Sequence, residues 1–223
     1  MRLYAITDRR LLPGDHTRGR LTQAERDGLI RLAEQWAAAG VDYIQLREKD
    51  LSTPDLIVLA QLIVGAVRCS DGCGQLLINA GAPGAAEAAR ASGAAGLHLP
   101  GRWEAEQVGW ARALGIVSVG CHSVGEIAVA RAAGADMALL SPIFKTESHP
   151  EAPPLGLEVL AEGCRTAAGV PVFALGGVTA GDAAACIAAG AAGVAAIRMF
   201  MRGQWPGAPA EAQGDQPGQS LRH

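Results

Sequence analysis

The run DYIQLREKD, residues 42 to 50, places charge where a strand would carry apolar side chains. With the two-residue period of a strand, Tyr43, Gln45, Arg47 and Lys49 face one way and Ile44, Leu46 and Glu48 the other. A file of amide, guanidinium and ammonium groups suits an anionic ligand. The alternative is a solvated Lys49 beyond the strand end and an Arg47 paired with Glu48 or Asp50. Other apolar runs also carry polar residues: Asn79 closes LLIN, His98 lies in LHL, His122 ends VSVGCH, and SPIFKTESHP holds Thr146, Ser148 and His149. One polar strand end is ordinary, whereas several together make a site. In ALGGVTAGD the backbone N–H groups around Gly176 and Gly177 can approach a phosphate, although a tight turn requires glycines as well. AAIRMF adds Ile197 and Arg198 near the same place. Arg198 can grip phosphate through two N–H groups or point outward to the end of the chain.

These residues need elements to bring them together. AAAGVDYIQL (37 to 46), ASGAAGLHL (91 to 99), AAGADMALL (132 to 140) and AAGAAGVAAI (188 to 197) each run from an alanine-rich helix through a glycine into an apolar strand. With LYAIT (3 to 7), LLIN (76 to 79), VSVGCH (117 to 122) and VPVFALGG (170 to 177), the strands number eight. Helical segments separate them at 22 to 39, 53 to 68, 83 to 92, 104 to 114, 123 to 133, 156 to 168 and 179 to 189. Such alternation predicts an α/β fold with a parallel sheet, closed as an eight-stranded (β/α)8 TIM barrel. An open doubly wound sheet is the alternative, but LYAITDRRLLPG lacks its Gly-rich dinucleotide fingerprint. In a barrel, chemistry gathers at the C-terminal strand ends, which is where the polar residues fall. Strand eight is expected to end near Phe200, with the last helix short or absent. The barrel domain then covers residues 1 to 202, and 203 to 223 form a loosely ordered Gly/Pro/Gln-rich tail. That arrangement leaves the flank beside strands eight and one open, which a homodimer partner could cover.

Composition excludes several classes of partner. At 223 residues and 49% hydrophobic, the chain can bury one sizeable core. Net charge is −3 and no Lys/Arg cluster stands out, so nucleic acid is not an expected partner. No uninterrupted apolar run suits a membrane span, and MRLYAITDRR lacks the features of a secretion signal, so a cytoplasmic location is expected. Five cysteines without CxxC pairs argue against disulfides or structural zinc, and most are expected to be buried thiols.

IQLREKD, the Asn79 strand end, LHLPG, GCHS, GADMALLSPIFKTES and VPVFALGGV occur in an order and spacing that resembles the thiamin phosphate synthase and TenI-type thiazole tautomerase superfamily, over about residues 3 to 200. The resemblance implies an enzyme of thiamin biosynthesis whose partner is a small-molecule thiazole phosphate. Synthases join that molecule to a pyrimidine diphosphate with magnesium; tautomerases shift a proton to aromatise a carboxythiazole phosphate. Four positions depart from the synthase pattern. Ala80 and Trp103 stand where it has metal-binding carboxylates, Gly120 where it has serine, and His149 where it has lysine. The expectation is therefore no metal ligand and no cofactor, with magnesium needed only by a synthase. His122 aligns with the acid/base histidine of the tautomerases. The alternatives for it are a helix cap or a retained residue without a role.

The primary expectation is thus a tautomerase-like isomerase with His122 catalytic. Gln45, Arg47, Lys49, Asn79, Thr146 and Ser148 would hold substrate, and Gly176, Gly177, Ile197 and Arg198 phosphate. A divergent synthase, which is a transferase, and a non-catalytic barrel that binds thiazole or thiamin phosphate for regulation are the alternatives. His98 is expected to be structural and His149 solvent-exposed.

Overall fold

Alternate residues of each strand enter different cores, and this closes the sheet. In β1 (Arg2–Ile6), Tyr4 and Ile6 point inward while Leu3 and Ala5 pack outward; in β2 (Tyr43–Leu46), Ile44 and Leu46 pack outward. The computed structural model, which describes residues 1–70, 72–147 and 151–209, continues this pattern through β3 (Gln75–Asn79), β4 (Gly96–Leu99), β5 (Ile116–Cys121), β6 (Met137–Leu140), β7 (Val172–Leu175) and β8 (Gly193–Ala196). All eight strands are parallel and consecutive, and β8 returns to β1, so the predicted closed barrel is the fold.

The helices form the outer ring: α1 (Gln23–Ala38), α2 (Thr53–Cys69), α3 (Ala85–Ser92), α4 (Ala105–Ala111), α5 (Val124–Ala133), α6 (Gly156–Ala167), α7 (Ala183–Ala188) and α8 (Arg198–Met201). Local sequence starts several of them. Thr22 and Glu25 form a capping box on α1, and Ser52 caps α2 ahead of Pro54 in its first turn. Among the described residues no helix is long and apolar enough to cross a membrane.

Three expectations need correction. Strand eight ends at Ala196, and Met199 and Phe200 lie on α8. The apolar run AAIRMFM fits either element by pattern, and helix wins because its turn buries Met199, Phe200 and Met201 together. The flank beside β8 and β1 is not open either. Phe200 meets Trp36 edge-on at 5.9 Å and stacks on Trp205 at 5.7 Å, and all three rings are buried, worth about 1.5–3 kcal/mol each. Trp205, assigned by composition to the tail, thus packs on the barrel, while residues 210–223 lie outside those described. Finally, only Cys121 and Cys186 are buried; Cys164 is half-buried, and Cys69 and Cys73 are exposed at the end of α2 and beyond it.

Inside the barrel an aromatic layer forms the floor. Tyr4, Tyr43 and Phe173 stand 5.6–5.8 Å apart, centre to centre. Polar side chains lie above it, and the cavity opens above those.

Candidate active site

The polar layer is one hydrogen-bonded chain. Asn79 Nδ2 donates to Gln45 Oε1 at 2.8 Å, Gln45 Nε2 donates to the Tyr4 hydroxyl at 3.1 Å, and Tyr4 donates to Ser118 Oγ at 3.3 Å. The Ser118 proton is then left for His98 Nδ1 at 2.9 Å, which assigns the His98 proton to Nε2, on the side of Gly120. Burial pushes the His98 imidazole down to about 3, with Arg47 and Lys49 adding to the effect, so it is neutral at pH 7. His98 is structural, as expected, and offers a fixed donor. Gln45 and Asn79 line the cavity, but their amides are engaged in this chain. Each NH2 group uses one N–H in the chain and keeps a second.

Above this layer is a cavity of about 740 Å³ lined by the C-terminal strand ends. Six cationic side chains border it, Arg47, Lys49, Arg102, Lys145, Arg198 and Arg202, against a single carboxylate, Glu147, among the described residues. That carboxylate pairs with Arg198, Nε to Oε2 at 3.3 Å. The chain as a whole is anionic, so this concentration of positive charge is local.

Arg47 and Lys49 lie just beyond the end of β2 instead of within it. Their alternative partners are taken: Glu48 and Asp50 both bind Arg9, with NH1 at 3.2 Å and 2.6 Å respectively. Arg47 is half-buried, and burial pulls its guanidinium down from the ordinary range. The stem of Lys49 passes beside Gly81, where an added Cβ would stand 3.7 Å from Cε.

His122 is exposed at the cavity edge. Its Nδ1 lies 2.9 Å from the Ser141 carbonyl, which can only accept, so the ring proton sits on Nδ1 and Nε2 carries a lone pair. A Cβ on Gly101 would be 2.5 Å from that Nε2, so the ring needs glycine there. The helix-cap alternative fails, because Ser123 caps α5.

Gly176 and Gly177 follow β7 at φ 89° and 68°. Added Cβ atoms would meet Pro142 Cα at 2.8 Å and the Phe144 carbonyl carbon at 2.8 Å, so the turn itself requires glycine. Among the described residues, the N–H groups of Gly176, Gly177 and Val178 have no acceptor, and all three residues border the cavity. Ile197 and Arg198 border it from the start of α8. Thr146 borders it too, whereas Ser148 and His149 lie outside the described residues.

A family model described as thiamine monophosphate synthase matches residues 3–200. The chain belongs to that family. A thiamine-phosphate synthase of Methanoculleus marisnigri is 40% identical over 203 residues, covering 87% of this chain and 85% of its own. One from Roseiflexus sp. (strain RS-1) is 34% identical over 216 residues, covering 94% and 82%. A thiamine phosphate pyrophosphorylase structure from Pyrococcus furiosus superposes with a TM-score of 0.74 over 95% of this chain and 93% of its own, at 23% identity, a likeness of fold.

Within this thiamine monophosphate synthase family member, the two carboxylates that the resemblance assigns to magnesium are replaced. No group of three His, Cys, Asp or Glu among the described residues could hold a metal ion. Ala80 and Trp103 occupy the two expected carboxylate positions, and the Trp103 indole donates to the Gly120 carbonyl at 2.7 Å. Glu104 and Glu106, possible substitutes, do not border the cavity. Sequence reading missed Arg102, Lys145 and Arg202. Each is a lone cation in or beside a loop, with no periodic signal to single it out.

Proposed function

We propose that this protein couples a thiazole phosphate to a pyrimidine diphosphate, giving thiamin phosphate and diphosphate. The observation carrying this reading is the six-to-one excess of cations over carboxylates around one cavity, which suits two phosphorylated substrates held together. The names of the relatives support the same reaction. In it, the thiazole nitrogen bonds to the pyrimidine methylene carbon as the carbon–oxygen bond to diphosphate breaks, and the electron pair leaves with diphosphate. The amides of Gly176, Gly177 and Val178 suit the thiazole phosphate, alongside Arg198. Arg47 and Lys49 suit the leaving diphosphate, whose charge grows as the bond breaks.

A second reading, the tautomerase, is favoured by a specific observation: the His122 lone pair at Nε2 beside the cavity suits taking a proton from one atom of a carboxythiazole and returning it to another. Under it, His122→Gln lowers tautomerase turnover by about 10²- to 10⁴-fold with little change in binding. Product analysis by chromatography decides between the readings, using carboxythiazole phosphate with and without pyrimidine diphosphate and with and without magnesium. Coupled product supports the first, and isomerised thiazole without coupling supports the second.

A further inference from the structure

The places where the resemblance puts magnesium ligands hold Ala80 and Trp103, and Arg102, the residue before Trp103, borders the cavity together with Arg47 and Lys49. Arg47 and Lys49 come from the end of β2 and form no ion pair among the described residues. Asp8, close enough to influence Arg47, is bound to Arg10. Arg102 comes from the loop between β4 and α4, borders the cavity and has no carboxylate partner among the described residues. Its backbone sits at φ 70°, a region that residues with a Cβ seldom occupy. The neighbours on either side hold the loop in that turn. Gly101 packs against His122, and Trp103 is tied to Gly120. A strained backbone that keeps an unpaired guanidinium at the edge of a cationic cavity calls for a ligand.

We propose that this cavity binds a diphosphate without a divalent metal, through Arg47, Lys49 and Arg102, with Arg102 supplying charge that a metal ion would otherwise bring. The identity of the diphosphate as a pyrimidine ester rests on the coupling reading above; the anion site itself does not. Arg47 and Lys49 from the end of β2 and Arg102 from the loop after β4 border one cavity, and such cations neutralise a diphosphate's charge and can donate to several of its oxygens.

The test is calorimetric titration of the purified full chain with inorganic pyrophosphate, once in EDTA and once with magnesium. The expected affinities agree within about threefold, because direct charge-assisted hydrogen bonds carry the binding. Arg102→Gly removes the guanidinium while suiting the positive φ, so the fold is retained, with thermal melting as the check. It should weaken pyrophosphate binding about tenfold or more in EDTA. Arg102→Lys should recover part of that loss, and Arg90→Ala, on the exposed face of α3, should change nothing. Binding that needs magnesium, or an Arg102→Gly protein that binds as the original does, overturns the proposal. Coupling assays on the same samples keep the two readings apart. Metal-free pyrophosphate binding without coupled product leaves the anion site standing and removes the pyrimidine ester. Coupled product together with magnesium-dependent binding does the reverse.

Discussion

Four consecutive residues after β2 serve two charged regions of opposite character. Arg47 and Lys49 border the cavity with no ion pair among the described residues, while Glu48 and Asp50 bind Arg9. Around Arg9 one guanidinium faces three carboxylates, Glu25, Glu48 and Asp50. Glu48 also accepts from the Thr7 hydroxyl at 2.7 Å, Glu25 lies 3.2 Å from Arg9 Nε, and His16 Nδ1 is 2.9 Å from Glu25. Arg9, Glu25 and Glu48 are each about 2% exposed. A largely buried ion cluster, paired within the protein, joins the β1–α1 loop to the end of β2. Arg47 and Lys49 have no such pair among the described residues, which suits the anion site proposed above. Pairing, more than charge, separates structure from function here.

The largest expected effect breaks the paired side. Arg9→Met leaves Glu25 and Glu48 buried without their cation and should destabilise the fold by about 3–5 kcal/mol in urea denaturation. Next comes the unpaired side. Arg47→Gln should raise the Michaelis constant for the diphosphate substrate about 10- to 100-fold, the worth of a hydrogen bond to a charged group. Stability should stay within about 0.5 kcal/mol of the original or rise, since no internal ion pair is lost. If Arg47→Gln unfolds as readily as Arg9→Met, the two regions are not distinct.

A smaller effect concerns pH, and the paired cluster gives it two limbs of opposite sign. Burial raises the Glu48 carboxyl from 4.5 to about 7, with the bonds from Thr7 and Arg9 opposing. Its folded value exceeds its unfolded one, so its contribution is fully present below 4.5 and is lost as pH rises toward 7. Asp50 runs the other way. The hydrogen bond from Arg9 holds it below its ordinary 3.8, so its contribution is present above that value and lost as pH falls further. Melting temperatures across pH 3 to 8 should therefore show both limbs, about in the ranges named, and Glu48→Gln should flatten the upper one while keeping the lower. An unchanged upper limb assigns it to other groups.

Much of this arrangement was legible in the sequence. The glycine junctions before β2, β4, β6 and β8 and the two-residue period of DYIQL located the strands, because local sterics and burial act over a few residues. IQLREKD also placed Arg47 and Lys49 at the mouth. The Arg9 cluster was not legible, since Arg9 meets Glu48 and Asp50 from 39 and 41 residues away. Only barrel closure brings that loop against β2. Gln45 and Asn79 were found as site residues, but their mutual bond, and the roles of Tyr4 and Ser118, depend on register across four strands.

The central claim is that the cationic cavity brings together two phosphorylated substrates for coupling. Mass spectrometry of the purified protein incubated with thiazole phosphate and pyrimidine diphosphate tests it directly. The account predicts thiamin phosphate and diphosphate in equal amounts, with Arg47→Gln sharply slowing both at low substrate. Unchanged substrates, or isomerised carboxythiazole phosphate with no thiamin phosphate when that acid is supplied instead, would contradict it.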